Sequence, residues 1–105
     1  MLDRPVMDAS EARTILAERL ARYRECPYER LAQLVGSQEV EEQRGQAGTL
    51  YQLEFEFFWD DRADGNVRVI GGVDDGGIRA FLPLRDSFIK APDGSFVGEQ
   101  EGSPG

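Results

Sequence analysis

The chain has 105 residues, of which 40% are hydrophobic and 10% aromatic, and this length and composition predict a single domain with one core. Twelve basic against 20 acidic residues give a net charge of -8, which disfavours nucleic acids and membranes as partners because it repels their phosphates. The absence of histidine and the lone Cys26 exclude histidine-activated nucleophiles, disulfides within the chain and the usual zinc or transition-metal sites, so we expect no metal and no cofactor.

The first part of the chain predicts a capped helix. Residues 1–13 lack the apolar stretch of a signal peptide, and no run is long enough to span a bilayer, which predicts a cytoplasmic protein. Asp8 and Ser10 can cap the helix, and Asp8 to Glu11 has the capping-box spacing, in which the Glu11 carboxylate would return to the amide of Asp8. The helix then carries an apolar stripe at helical spacing: Ala12, Ile15, Leu16, Leu20 and Tyr23.

A second, shorter helix is predicted between Pro27 and Gly36. Proline suits the first turn of a helix and disfavours helical backbone at Cys26, and glycine is typical after the last turn. The apolar stripe of this helix consists of Tyr28, Leu31, Ala32 and Val35. We interpret Tyr23 and Tyr28 as core residues whose hydroxyl groups lie at the rim.

The hydrophobic pattern then changes to a period of two. A weak strand is predicted over residues 39–44, and the strongest strand of the chain follows over Leu50–Trp59. The residues expected on the core face of this strong strand are Tyr51, Leu53, Phe55, Phe57 and Trp59. A third strand, 67–73, follows a polar loop and should pair with the strong strand so that the valines join its core face. Arg68 then lies on the outer face beside Glu54 and Glu56.

The next residues predict another hairpin. Asp74–Gly77 has turn chemistry, since glycine accepts positive φ, and Ile78–Leu82 is expected to form a fourth strand that Pro83 ends. Ile78, Ala80 and Leu82 would continue the core face, whereas Arg79 and Phe81 would point outward. The outer face would then carry an apolar set of candidate binding residues: Phe58, Ile70 and Phe81.

Residues 84–98 predict a segment that folds back over this apolar set. Ala91–Gly94 suits a type I turn, with proline second and glycine fourth. The side chains expected to cover the set are Phe88, Ile89, Phe96 and Val97. If the segment does not cover it, a partner should. Residues 99–105 are small and polar and predict a disordered tail, which leaves 1–98 as the domain.

The strongest catalytic candidates are an Asp/Arg cluster: Asp74, Asp75, Arg79 and Asp86. Paired carboxylates can divide acid and base roles where burial separates their pKa values. A glycine-flanked turn is exposed to water, which disfavours that division. The loop beginning at Asp60 resembles the start of a calcium loop, but Arg62 and Gly71 stand at positions that need oxygen ligands.

Three stretches of the sequence resemble small uncharacterised bacterial proteins of about this length. They are DDGGIRAFLPLRDSFIKAPDGSFVGE at 74–99, CPYERLAQLVG at 26–36 and FFWDD at 57–61. The resemblance implies a bacterial source and one complete unit. That family has no assigned activity, so the resemblance transfers no site residue.

These observations predict a two-layer α+β domain, with two N-terminal helices on one face of a mainly antiparallel sheet of about four strands. The leading function is a non-catalytic binding or regulatory module that acts through protein contacts. The first alternative is a small enzyme or ligand-binding protein that uses the Asp/Arg cluster. The second is an acidic inhibitor or immunity-type protein that faces a basic partner. The partner's identity, and whether the chain forms a homodimer, stay open at this point.

Overall fold

The structure, a computed structural model, describes residues 8–46, 48–74 and 84–99. Within these ranges the chain forms two helices and four strands in this order: α1 (Ala9–Glu25), α2 (Tyr28–Leu34), β1 (Gln38–Arg44), β2 (Leu50–Trp59), β3 (Val67–Asp74) and β4 (Leu84–Lys90). Sequential strands pair in one antiparallel sheet of order β1-β2-β3-β4. The predicted α+β fold is therefore confirmed. Neither of these helices has the length and apolar composition needed to cross a membrane.

Helix α1 begins at the predicted cap but not with the predicted capping box. Asp8 Oδ1 accepts hydrogen bonds from the Ser10 and Glu11 N–H groups at 2.9 and 3.1 Å. The Glu11 carboxylate does not return to Asp8; it accepts from the Gln46 N–H and from the Tyr51 hydroxyl, both at 2.8 Å. The turn between β1 and β2 and the otherwise buried Tyr51 present donors that need a partner, and Glu11 satisfies both.

The inner face of the sheet, defined as the side toward α1 and α2, holds the core. Helix α1 lies over β3 and β4, and α2 lies over β2 and β3. The register of β2 with β3 sets Phe57 opposite Val69 and Leu53 opposite Val73, as the alternation predicted. The buried core consists of Ala12, Ile15, Leu16, Leu20, Leu31, Tyr51, Leu53, Phe55, Phe57, Val67, Val69, Val73 and Phe88.

Gly71 permits the close approach of α1 to β3. A Cβ atom at this position would lie 2.9 Å from both Leu16 Cδ1 and Phe55 Cε1, closer than carbon atoms pack. Glycine in a strand often marks such a contact. The helix therefore rests on the backbone of β3 with no space for a further side chain.

On the side away from β2, β3 pairs with Leu84–Lys90. This segment was predicted to cover the outer face of the sheet. The predicted strand Ile78–Leu82 lies outside the described residues. Phe88 stands opposite Val69 and is 4% exposed, so it belongs to the inner face, and the prediction that it covers the outer face is wrong. The physical reason is strand parity: pairing with β3 fixes which side each residue of β4 faces.

The chain after β4 turns back along the edge of that strand. The Ala91 carbonyl accepts from the Gly94 N–H at 2.8 Å, which closes the predicted turn. Phe96 bridges to Lys90, and its ring meets Phe88 edge-on with centroids 5.8 Å apart. The Val97 N–H donates to the Ile89 carbonyl at 2.9 Å. The return therefore covers the edge of β4 and not the outer face, which corrects the predicted closure.

Lys90 has a structural role that the sequence analysis missed. It is the chain's one lysine and is buried at 7% exposure on the inner face. Its Nζ donates to the Arg24 and Cys26 carbonyl oxygens at 2.8 and 2.7 Å, and it lies 5.2 Å from the Phe96 ring centroid. An ammonium group at the end of α1 satisfies unpaired carbonyls and complements the negative end of the helix dipole.

Candidate functional site

The outer face of the sheet, on the side away from both helices, is the candidate site. Alternation along the strands and the register between them place these residues on it: Gln38, Val40, Glu42 and Arg44 of β1; Leu50, Gln52, Glu54, Glu56 and Phe58 of β2; Arg68, Ile70, Gly72 and Asp74 of β3; Arg85, Ser87 and Ile89 of β4. Val40 is 60% exposed and Phe58 43% exposed. Large apolar side chains are therefore exposed to solvent on this face, whereas the helices cover the opposite face of the sheet.

Three apolar side chains lie around Arg68 at one end of this face. Phe58 stands opposite Arg68, and Arg68 in turn stands opposite Ile89 on β4. Ile70 is two residues along β3, at a diagonal position about 7–8 Å from Phe58. We call Phe58, Ile70 and Ile89 the apolar end. Two of the three predicted binding residues, Phe58 and Ile70, lie here together, whereas Phe81 falls outside the described residues.

A shallow groove lies beside the apolar end, in the middle of the outer face. It encloses about 90 Å³ and is lined by Glu54, Glu56, Ile70, Gly72, Asp74 and Arg85. Sites that enclose a small molecule usually hold several hundred cubic ångströms. The dimensions of this groove therefore favour a surface contact over an enclosed substrate.

Arg68 lies on the outer face with Glu54 and Glu56, as predicted, but its ion pair is formed with Asp60. The Arg68 Nε and Nη2 groups both donate to Asp60 Oδ1, at 2.9 and 2.7 Å. Asp60 follows β2 immediately and reaches Arg68 from the strand end. Competition from this nearer carboxylate leaves the guanidinium of Arg68 occupied.

The predicted Asp/Arg cluster is not assembled by the described residues. Asp74 lies on the outer face and lines the groove. Asp86 stands opposite Gly71, at an inner-face position near the exposed edge of β4. The two carboxylates are therefore on opposite faces of the sheet. Asp75 and Arg79 lie outside the described residues.

The loop between β2 and β3 uses its acidic residues internally. Asp61 Oδ1 accepts from the Asn66 and Arg62 N–H groups at 3.1 and 2.8 Å, and the bond from Asn66 is the main cause of the lowered pKa of Asp61. The Tyr28 hydroxyl donates to the Gly65 carbonyl at 2.7 Å, which ties the loop to α2. Within the described ranges, no three acidic or cysteine side chains are grouped closely enough to hold a metal ion.

The acidic residues on the inner side of β1 have partners on α1. Arg19 donates to Glu41 through Nε and Nη2 at 2.6 and 2.5 Å, and this bond is the main cause of the raised pKa of Arg19. The Tyr23 hydroxyl donates to Glu39 at 2.6 Å. Burial, followed by that hydrogen bond, raises the pKa of Tyr23. Charged residues that point inward on an edge strand also discourage its pairing with another chain.

Val40 was not predicted as part of the candidate surface, and Ile89, which was predicted to cover that surface, belongs to it instead. The alternation of QEVEEQR contained the signal for Val40, because Gln38, Val40 and Glu42 share one face. For Ile89 no local signal existed, since its face depends on the pairing of β4 with β3.

Comparisons with known proteins identified no relative of this chain. No protein-family model matches the chain, and no match was found among the curated proteins or the solved structures. The resemblance to small bacterial proteins stays a prediction, and the candidate site depends on its own geometry.

Proposed function

We propose that this protein is a non-catalytic binding module that acts through protein contacts made by the outer face of the sheet. The observation that carries the proposal is the exposure of Phe58, at 43%, beside Ile70 on a face that neither helix covers. Exposed aromatic residues at the centre of an apolar surface are typical anchors of protein interfaces. The occupant is a different polypeptide that lays an apolar side chain on Phe58 and Ile70.

The alternative of a small enzyme is less well supported. The outer-face groove is too small to enclose a metabolite, and Asp74 and Asp86 lie on opposite faces. A larger open cavity of about 650 Å³ lies between α1 and the turn joining β1 to β2, but none of the predicted catalytic residues is among those that line it. A flat face with an aromatic anchor suits a macromolecule instead. The proposal includes a bacterial cytoplasmic setting, which the resemblance of residues 74–99 and the lone cysteine support.

A photo-crosslinking amino acid placed at residue 58 tests the proposal. In cells of the source organism, Phe58→benzoylphenylalanine should form an adduct with one recurring protein, identified by mass spectrometry. The matched control is the same substitution at Gln33, which is exposed on α2 and should give no such adduct. Adding Ile70→Thr, which keeps a β-branched side chain but makes it polar, should weaken the adduct several-fold.

Three outcomes would contradict the proposal. Equal adducts from residues 58 and 33 would show that the contact is not specific to the outer face. An adduct insensitive to Ile70→Thr would remove the apolar end from the interface. An adduct between two copies of the chain would replace the different polypeptide with a homodimer.

A further inference from the structure

Two carboxylates next to the apolar end form no ion pair with any arginine or lysine of the described residues. Glu54 and Glu56 are two residues apart on β2, so their Cβ atoms lie about 6.7 Å apart on one face. Their neighbours across the strands are all uncharged: Val40 and Gly72 beside Glu54, and Gln38 and Ile70 beside Glu56. We call Glu54 and Glu56 the acidic pair. Within the described part of the chain, Glu56 accepts a long hydrogen bond from Gln38 Nε2, at 3.5 Å.

Two arginines of the described outer face, Arg68 and Arg85, lie near the acidic pair without forming an ion pair with it. Arg68 is bound to Asp60 through two hydrogen bonds. Arg85 is opposite Gly72, two strand spacings from Glu54, or about 9.6 Å between backbones. Among the described residues, no ion pair joins an arginine to either member of the acidic pair. By contrast, Glu41 is paired with an arginine on the inner side of the sheet.

We infer that the partner is a basic polypeptide segment that sets arginine or lysine side chains against the acidic pair and an apolar side chain against the apolar end. This inference rests on the proposed function. Glu54, Glu56 and Phe58 follow one another along β2 at the same spacing, and an extended peptide repeats its side chains on one face at that spacing too. The matching pattern is therefore two cationic residues and one apolar residue at alternate positions.

Charge complementarity favours this occupant over a second copy of the chain. Two copies of the chain repel each other, because each carries a net charge of -8. Like charges across an interface are strongly unfavourable. A basic partner, in contrast, is attracted by the whole field of the protein and then held by the acidic pair.

Synthetic peptides provide the test. The probe contains Leu, Arg and Arg at alternate positions separated by serine, and two control peptides replace both Arg by Glu or the Leu by Ser. Binding is followed by amide chemical shifts in NMR titrations. We expect the probe to shift residues of β2 and β3 on the outer face, both controls to bind far more weakly, and binding to weaken between about 0.05 and 0.5 M NaCl.

Two double variants with equal charge locate the binding site. Glu54→Gln with Glu56→Gln removes the acidic pair, whereas Glu18→Gln with Glu25→Gln removes two exposed carboxylates from α1. Both should melt near the wild-type temperature, because all four side chains are on the surface. The probe should bind the first variant about tenfold more weakly and the second within about twofold of wild type.

Each remaining result would overturn the inference. These results are no binding of the probe at millimolar concentration, equal binding of the Glu-containing peptide, and equal weakening by the two double variants. The crosslinking experiment separates this failure from that of the proposed function. An adduct at residue 58 with a partner that has no basic segment would refute the inference and leave the binding module intact.

Discussion

The two faces of β2 show how one strand serves two purposes. On the inner face, Tyr51, Leu53, Phe55 and Phe57 are fully buried, and on the outer face Phe58 is 43% exposed. Charges differ in the same way: on the neighbouring β1, the inward-facing Glu39 and Glu41 are bound by α1, whereas the acidic pair is not bound by an arginine of the described residues. Burial makes pairing obligatory, so residues that keep unmet charge or exposed rings are confined to the open face.

The largest expected difference between the two faces is the loss of stability when an aromatic side chain is truncated. Phe55→Ala or Phe57→Ala should lower the free energy of unfolding by about 3–5 kcal/mol, because each leaves a cavity in the core. Phe58→Ala should cost less than about 1 kcal/mol, since the ring is already exposed to water. Chemical denaturation of the three variants measures the difference. Similar losses at residues 57 and 58 would show that the outer face is covered in solution.

Replacement of the buried lysine tests whether the inner face depends on its polar contacts. Lys90→Met keeps the length of the side chain but leaves the Arg24 and Cys26 carbonyls without the ammonium donor. We expect a loss of about 2–3 kcal/mol, as for hydrogen bonds from a charged group. Arg85→Met, on the outer face of the same strand, is the control and should stay within about 0.5 kcal/mol. Equal stability of the two variants would contradict a structural role for Lys90.

Gly71 on the inner face and Gly72 on the outer face allow the two faces to be compared by adding one methyl group at each position. Gly71→Ala should destabilise the fold by about 1–3 kcal/mol, because its Cβ would overlap Leu16 and Phe55. At Gly72 the nearest atoms are the Leu84 carbonyl oxygen at 3.6 Å and Arg85 Cγ at 3.8 Å, so Gly72→Ala should be neutral or slightly stabilising. Thermal melting of both variants decides, and a larger loss at residue 72 would reverse the assignment of the faces.

The smallest expected effect concerns the ion pair between α1 and the C-terminal return. Arg24 donates to Glu99 through Nη1 and Nη2 at 2.9 and 2.6 Å, and these bonds hold the pKa of Glu99 below its ordinary value. A lowered folded-state pKa stabilises the protein above the unfolded pKa, about 4.3 for glutamate, and this stabilisation is lost as the pH falls through the folded value.

Glu99→Gln measures that contribution. The variant should be less stable than wild type by less than about 1 kcal/mol at neutral pH, because the pair is partly exposed. The difference should shrink as the pH falls from about 5 towards 3. Melting curves across this range provide the measurement, and a difference that does not change with pH would show that the ion pair is not its source.

The boundary of the predicted tail depends on a long-range contact that the sequence does not indicate. Glu99 begins the predicted tail, yet it is bound to Arg24, and Arg24 also stacks on Phe96 with its guanidinium carbon 4.1 Å from the ring centroid. Residues 100–105 lie outside the described residues. Small polar residues predicted a loose end, because composition contains no information about a partner 75 residues away.

The candidate surface was predicted in part. Phe58 and Ile70 were identified from alternation within their own strands, which is a local property of the extended backbone. That residues 84–99 do not cover this surface depends on the direction of Phe88, and a shift of one residue in pairing would have turned it to the other face. The Asp/Arg cluster failed for the same reason, since Asp74 and Asp86 share a hairpin but not a face.

The sequence by itself determined the two helices, the strands β1 to β3 and most of the core, because backbone geometry repeats every 3.6 or two residues and the apolar positions follow it. Only the tertiary structure decided that Leu84–Lys90 pairs with β3 and that Lys90 donates to a carbonyl at the C-terminal end of α1. It also decided that Arg68 binds Asp60 and not the acidic pair. Those outcomes depend on competition between groups far apart in the chain. A local pattern predicts which residues of one strand lie on the same face, but the tertiary packing decides what contacts that face.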